Sequence, residues 1–375
     1  MRLLFFIDSL ELGGAQRVAA SLASYWADRN WEVSLVTLAS MESDFYPLHP
    51  AVTRITLNMA RESKTTRAAL VNNLRRIHAL RRTLGTVKPD IALGMMSSAN
   101  IILALAAARL PGLATLGAER TYPPRLALDR PWEFLRAHVY HQLDSVVAQT
   151  DESATWLRRH THARRVDVIP NAAHRLSPFD VPRLTARPAG KRPHTLLAVG
   201  RLEAVKGFDL LLTVFSRLAG RFSDWQLVIV GDGSQREALQ LQLAALGLEG
   251  RVTLPGRSAN VTQWYQISDL YVMTSRYEGF PNALCEAMAY GLPAVSFDCD
   301  TGPRDIIRHD VDGLLVPVED VAALESALSR MMGDAELRET YSARASEVSE
   351  RFSQERIYGL WETLFKELQE DARAR

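Results

Sequence analysis

The sequence predicts two doubly wound α/β domains in series, and three observations carry that prediction. The chain has 375 residues, more than one ordinary core accommodates, so two domains are expected. Short apolar runs alternate with longer amphipathic segments, the pattern of parallel sheets covered by helices, and the alternation occurs twice. Between the two series lies the stretch from Pro178 to Pro193, which holds four prolines. It has no apolar periodicity and reads as an interdomain linker. The domains are therefore placed at 1–177 and 194–352, with 178–193 between them.

Taken in order, the first domain opens with Met1-Arg-Leu-Leu-Phe-Phe-Ile-Asp8. Its apolar run soon meets charge and reads as a strand, not a signal peptide. Strands are expected at Leu3–Ile7, Glu32–Thr37, Val52–Leu57, Ile91–Gly94, Ala114–Ala118, Ser145–Ala148 and Val166–Ile169. Helices are expected at Ala15–Arg29, Arg67–Leu84 and Asp151–His160. The apolar stretch Ile101–Leu116 is interrupted by Arg109 and Pro111 and does not read as a membrane span. In the second domain strands fall at His194–Val199, Gln226–Val230, Val252–Leu254, Leu270–Met273, Ala294–Phe297 and Gly313–Val316. Helices fall at Lys206–Ala219, Ser234–Leu246, Val261–Ser268, Asn282–Tyr290 and Ala322–Met332, and one more runs from Arg351 to the end.

Charge divides the chain. Residues 1–175 carry 22 Lys/Arg against 15 Asp/Glu, and residues 176–375 carry 22 against 28. The two halves are expected to meet different partners. The basic excess concentrates between Arg54 and Lys88, with Arg75, Arg76, Arg81 and Arg82 on one expected helix. Leu70, Leu74, Ile77 and Leu80 give that helix an apolar stripe. This region reads either as a solvated helix face or as a dock for an anionic membrane surface or an anionic lipid-linked acceptor. It contains no aromatic residue to stack bases, so nucleic acid is not an expected partner. The two cysteines, Cys285 and Cys299, suggest no disulfide framework and fit a reducing compartment.

The strongest chemical signal is Ser275-Arg-Tyr-Glu-Gly-Phe-Pro-Asn-Ala-Leu-Cys-Glu286. It follows an apolar strand, and Gly279-Phe280-Pro281-Asn282 reads as a sharp turn that opens a helix with Pro281 near its start. Glu278 then sits in the loop and Glu286 about one turn inside the helix. Two carboxylates at a strand end suit sugar and ribose hydroxyls better than a phosphate. The loop Val199-Gly-Arg-Leu-Glu-Ala-Val-Lys-Gly207 places Arg201 and Lys206 between another strand and its helix, which suits a diphosphate. Gly13 and Gly14 after the first strand permit close backbone approach to a ligand, or form only a tight turn. Val230-Gly-Asp-Gly233, Leu254-Pro-Gly-Arg257 and Thr301-Gly-Pro-Arg-Asp305 also lie at strand C-ends, where one ligand crevice is expected. His138 and His141, on one expected helix, have no partner at zinc spacing. Asp298 and Asp300 read as solvated or capping, and no metal is expected.

Together Gly13-Gly14, Gly200-Arg201 with Lys206, Glu278-x7-Glu286 and Gly302-Pro303 resemble the family 4 retaining glycosyltransferases of the GT-B fold, over essentially the whole chain. The resemblance implies two facing Rossmann-like domains with the active site in the cleft between them, and a C-terminal helix at about 353–375 packing back on the first. It implies that the second domain binds a nucleotide-sugar, UDP-sugar foremost, as substrate, without other cofactor. Arg201 and Lys206 would contact the diphosphate, Glu278 the transferred sugar and Glu286 the ribose. Gly200, Arg257, Gly279, Phe280, Pro281, Asn282 and Ala283 would complete the nucleotide site, with Gly13 and Gly14 bordering the diphosphate.

Developing charge on the departing phosphate would be stabilised by preformed cations and a helix terminus. The histidine that many relatives carry after the fourth strand is absent from Leu93-Gly-Met-Met-Ser-Ser-Ala-Asn100, so no general base is assigned. Ser97 or Ser98 takes its place in the sequence. Gly117-Ala-Glu-Arg-Thr-Tyr122 resembles a Ser-Glu-Arg element of relatives that extend lipid-linked oligosaccharides. It makes Glu119 and Arg120, with Ser98, the acceptor-side candidates and a polyprenyl-diphosphate-linked saccharide the expected acceptor. The implied location is the cytoplasmic face of the inner membrane. A nucleotide-sugar epimerase of the same architecture, or a non-catalytic nucleotide-sugar-binding protein, is the alternative.

Overall fold

The computed structural model of the protein describes residues 1–60, 65–126, 128–173, 193–258 and 260–374. The expected linker 178–193 lies outside the described residues except for Pro193, and so do Arg61 and Lys64 of the basic region. The chain divides into two compact units, Met1–Asn171 with Ile357–Arg375, and Ala172–Arg356.

Unit 1 contains β1 (Arg2–Ile7), α1 (Gly14–Asp28), β2 (Glu32–Thr37), β3 (Thr53–Thr56), α2 (Thr66–Val87), β4 (Ile91–Met95) and α3 (Ser97–Ala107). It continues with β5 (Ala114–Ala118), α4 (Arg130–Val139), β6 (Ser145–Ala148), α5 (Asp151–His160) and β7 (Val166–Val168). Its seven strands are all parallel, in the order β3-β2-β1-β4-β5-β6-β7. The central strands are apolar because helices cover both sheet faces, and every residue of β4, β5 and β6 is buried. Helix α5 shows how the sequence sets a helix end. Thr150 caps it by accepting the Ser153 N–H at 3.2 Å, with Asp151 and Glu152 in the first turn and Arg158, Arg159 and His160 in the last.

Unit 2 contains β8 (His194–Val199), α6 (Phe208–Ala219), β9 (Trp225–Val230), α7 (Arg236–Ala245), β10 (Val252–Gly256), α8 (Val261–Ile267) and β11 (Leu270–Met273). It continues with α9 (Asn282–Ala289), β12 (Ala294–Phe297), α10 (Pro303–Ile306), β13 (Gly313–Val316), α11 (Val321–Gly333), α12 (Ala335–Ala345) and α13 (Val348–Arg351). Its sheet is also parallel, in the order β10-β9-β8-β11-β12-β13. The last helix, α14 (Gln354–Ala374), crosses into unit 1 at Ile357. There Tyr358 and Phe365 pack on Tyr25 and Trp26, with ring centroids 4.4 Å and 5.1 Å apart, and Trp26 Nε1 donates to Glu362 at 3.1 Å.

Three points differ from the sequence reading. The first is Ser97–Ala107, a helix that reading did not name, with nine buried residues and contacts to α2, α4 and the strands β1, β4 and β5. Apolar residues all round leave no periodicity to read, which hid it. Among the described residues no helix is long and apolar enough to cross a membrane. The second concerns α2, whose expected stripe is only half right. Leu80 is buried and Ile77 half-buried, whereas Leu70 and Leu74 are 64% and 57% exposed. The third is smaller: α4 ends at Val139, so His141 falls in a separate 3-10 turn instead of sharing a helix with His138.

Candidate functional site

In unit 2 the strand order reverses between β8 and β11, and the crevice outside such a switch point is where open α/β sheets bind ligands. The loop after β8 carries Gly200, Arg201 and Lys206. The loop after β11 carries Glu278 and leads into α9 with Glu286. The two most informative sequence segments therefore flank one switch point.

Close backbone approach locks these loops together. Gly207, at φ 62°, starts α6 where a Cβ would stand 2.1 Å from the Thr274 carbonyl oxygen. Gly302, at φ 96°, lies where a Cβ would stand 2.4 Å from the Pro281 ring. Only glycine permits both conformations without strain. Thr274 Oγ1 then donates to the Lys206 carbonyl at 2.9 Å, and Thr301 Oγ1 to the Glu278 carbonyl at 2.6 Å. The side chains are held as well. Lys206 Nζ stands 2.6 Å from Glu278 Oε1, which also accepts from Ser275 Oγ at 2.7 Å. The two side chains of this ion pair are 21% and 14% exposed, enough to reach a ligand.

Glu286 lies deeper, 3% exposed, and accepts a hydrogen bond from the buried Tyr265 hydroxyl at 3.1 Å. Burial, then the charges of Glu278 and Glu286, push the Tyr271 hydroxyl well above its ordinary pKa. Tyr271 thus sits within electrostatic reach of both glutamates. Burial and the Glu278 charge likewise push the Cys299 thiol up to about 12. Both cysteines are buried, free thiols.

Arg201 is exposed at the mouth of its loop, and Arg257 is exposed just beyond β10. Gly279, Phe280 and Pro281 are buried, and Asn282 and Ala283 form the half-buried first turn of α9. The Gly256 carbonyl accepts from Gly231 N–H at 2.9 Å, joining the loops after β9 and β10. Asp298 is taken up by Arg304 at 2.9 and 3.0 Å. The arrangement offers cations at a strand-to-helix loop and two carboxylates one loop away, the chemistry for a diphosphate flanked by hydroxyl-bearing rings.

In unit 1, Gly14 is the exposed first residue of α1, and Gly13, just before it, donates its N–H to the Tyr46 hydroxyl at 3.2 Å. Ser98 is half-buried and donates to Asp8 Oδ2 at 2.6 Å. Glu119, expected on the acceptor side, lies inside unit 1. It is 2% exposed, and its carboxylate is occupied by Ser97 Oγ at 2.7 Å and by the Tyr140 hydroxyl. Burial raises its pKa despite those two donors. Arg120 is 8% exposed and bonds Asn171, and burial lowers its pKa to about 10.

Sequence reasoning missed Tyr265, Ser275, Thr301 and Asp8 as site residues. Ser275 and Thr301 stood inside quoted motifs, and Asp8 was visible as the first charge after β1. Nothing local in the sequence pointed to Tyr265.

Comparison with solved structures defines the fold class as GT-B. Sucrose-phosphate synthase from Thermosynechococcus elongatus superimposes with a TM-score of 0.82 at 19% identity, over 98% of this chain and 99% of that one. Anabaena Alr3699/HepE in complex with UDP and glucose gives 0.75 at 21%, over 97% and 99%. Residues 12–174 match the family described as Glycosyltransferase Family 4, and residues 185–348 match Glycosyl transferases group 1. The chain belongs to this glycosyltransferase family.

Among its relatives, the amylovoran biosynthesis glycosyltransferase AmsD of Erwinia amylovora is 27% identical over 367 residues, 96% of this chain and 98% of that protein. A Campylobacter jejuni α-1,4-N-acetyl-D-galactosaminyltransferase acting on a diphospho-undecaprenol-linked saccharide is 26% identical, over 98% and 99%. The exopolysaccharide phosphotransferase SCO2592 of Streptomyces coelicolor is 37% identical over 235 residues, 60% of this chain, which span only 24% of that protein.

Proposed function

We propose that this protein transfers a sugar, with retention of configuration, from a UDP-sugar to a polyprenyl-diphosphate-linked saccharide in bacterial surface polysaccharide assembly. The carrying observation is the convergence of Arg201, Lys206, Glu278 and Glu286 at the β8/β11 switch point of unit 2. Arg201 and Lys206 bind the diphosphate and stabilise the charge that develops as the sugar leaves. Lys206 exchanges its bond to Glu278 for the phosphate, and the released carboxylate holds the transferred sugar. Glu286, oriented by Tyr265, binds the ribose hydroxyls. The cations already present at the diphosphate supply the charge for which a metal would otherwise serve, so the reaction proceeds without one. The bound UDP of the Anabaena structure, the amylovoran biosynthesis named for AmsD and the diphospho-undecaprenol-linked saccharide named for the Campylobacter enzyme support this choice of donor and acceptor.

The acceptor falls to unit 1, which also carries a membrane-facing feature. Leu70, Val71 and Leu74 of α2 are exposed beside Arg75 and Arg82. An open groove of about 450 Å³ lined by Met59, Val71, Leu74, Arg75, His78, Ala79 and Arg82 runs along them. Exposed apolar residues flanked by arginines suit the headgroup region of an anionic leaflet. Arg76 and Arg81 have other work. Arg81 donates to the Ala106 and Ala108 carbonyls at 2.8 Å each, at the end of α3, and Arg76 donates to Met59 at 3.0 Å. On this reading the protein works at the cytoplasmic membrane face, held peripherally.

The test is calorimetric titration with UDP, GDP and ADP beside the Glu286→Ala variant. Tight binding of UDP that the variant loses is the expected result. Binding indifferent to Glu286, or no nucleotide binding, removes the proposal.

A further inference from the structure

Unit 1 has a switch point of its own, between β1 and β4, and its polar groups are unused by the donor chemistry. Asp8 is the first residue beyond β1, and Ser98 lies in the first turn of α3 beyond β4. Ser98 Oγ donates to Asp8 Oδ2 at 2.6 Å, while Asp8 Oδ1 is buried with no hydrogen-bond partner among the described residues. A buried polar atom left without a partner costs about 1–3 kcal/mol, so such an oxygen marks a place where a donor belongs. Burial pushes the Asp8 carboxyl above its usual range, against the opposing effects of Ser98 and the Arg76 charge.

The backbone that delivers Ser98 is strained. Met96 sits at φ 84° and ψ 154°, a region that glycine alone occupies freely. That conformation costs about 1–3 kcal/mol and persists only where the surroundings impose it, which happens most often at ligand sites. Here Met96 N–H is bound by the Ala118 carbonyl at 2.9 Å, and its own carbonyl accepts the Asn100 N–H at 2.9 Å, closing the first turn of α3. Asp8, Met96 and Ser98 are each half-buried, whereas all of β4 is buried. These three residues lie together at the strand ends beside the β1/β4 switch point.

We propose that Asp8 and Ser98 form a saccharide-hydroxyl site in which the Asp8 carboxylate accepts a hydrogen bond from a hydroxyl of the acceptor sugar and Ser98 fixes the carboxylate's orientation. The proposal rests on the assignment of the acceptor to unit 1. A lone carboxylate repels phosphate, and one carboxylate with one hydroxyl offers too few oxygens for a divalent cation. A neutral hydroxyl is the donor that fits the unpartnered Oδ1.

The full-length protein, Asp8→Asn and Ser98→Ala would be titrated with methyl α-glycosides of glucose, galactose, N-acetylglucosamine and N-acetylgalactosamine by saturation-transfer NMR. In parallel, UDP, GDP, ADP and UDP-glucose would be titrated by calorimetry. At least one glycoside is expected to bind the wild type, about tenfold more weakly to Asp8→Asn and several-fold more weakly to Ser98→Ala. UDP affinity and the UDP-glucose to UDP ratio should not move. Ser98→Ala keeps the test readable if Asp8→Asn folds poorly. Equal glycoside affinity in the variants, or no glycoside binding to the wild type, overturns the site. A shift confined to the UDP-glucose ratio would put the transferred sugar at Asp8 and overturn the acceptor assignment. Absence of any nucleotide binding would strike the donor reading of unit 2 and leave the glycoside result to decide this one.

Discussion

The two units share a topology and differ in how their switch points are furnished. Each sheet reverses its strand order beside its first strand, between β1 and β4 in one and between β8 and β11 in the other. In unit 2 the loops there are cross-tied repeatedly, by Gly207 under Thr274, Thr274 to Lys206, Lys206 to Glu278 and Arg276 N–H to the Val205 carbonyl, and Thr301 of the next loop bonds Glu278 as well. In unit 1 the corresponding loops meet, among the described residues, through the side-chain bond from Ser98 to Asp8, across a strained turn. The lesson is that the backbone supplies the crevice and the loops supply the chemistry. A densely tied, cation-bearing crevice suits one fixed ligand moiety such as a diphosphate. A sparsely tied carboxylate crevice suits a ligand that varies between relatives, as acceptors do.

The sharpest way to break this contrast is Lys206→Ala. Turnover is expected to fall about 10²–10³-fold, the scale for removing a donor to developing charge, with the melting temperature little changed. Near-normal turnover would take Lys206 out of the mechanism and unit 2 out of its special status. A second test concerns unit 1's outer face. Replacing Arg75 and Arg82 together by alanine should weaken flotation with vesicles of one-third phosphatidylglycerol by about tenfold or more, at about 1 kcal/mol per charge. The loss should shrink as salt rises. Replacing Arg76 and Arg81 should instead lower the melting temperature, because their bonds hold α2 to neighbouring backbone. Vesicle binding equal to wild type in the first pair sinks the membrane reading.

Tyr265→Phe sharpens the comparison at smaller scale. Loss of one hydrogen bond to the Glu286 carboxylate should weaken UDP binding several-fold, in line with about 1 kcal/mol. It should leave 2′,3′-dideoxy-UDP unaffected, and an equal loss for both nucleotides would mean that Tyr265 only supports packing. The smallest effect is expected at Glu119. Its folded-state pKa is raised above the ordinary 4.5, so the folded protein binds that proton more tightly than the unfolded chain. The associated stability is full below about pH 4.5 and is lost as pH rises through the folded value. Wild-type minus Glu119→Gln melting temperature should therefore decline between pH 4 and pH 8. A flat difference would mean that Glu119 is as readily ionised folded as unfolded.

What the sequence determined by itself follows from short-range physics. Strand runs such as Glu32–Thr37, Ala114–Ala118 and His194–Val199 were legible to the residue because strands buried on both faces read as short, mainly apolar runs between turn signals. The turn Gly279-Phe280-Pro281-Asn282 fixed the start of α9, and with it the placement of Glu278 before that helix and Glu286 inside it. Tertiary structure alone decided which side chains meet. Tyr265 reaches Glu286 from 21 residues upstream, and Asp8 meets Ser98 across 90, separations that no local spacing encodes. It also decided that Leu70 and Leu74 face outward while Glu119 turns inward. Periodicity tells which residues share a face of an element. Only the packing of neighbouring elements settles whether that face is covered, because burial depends on what stands opposite.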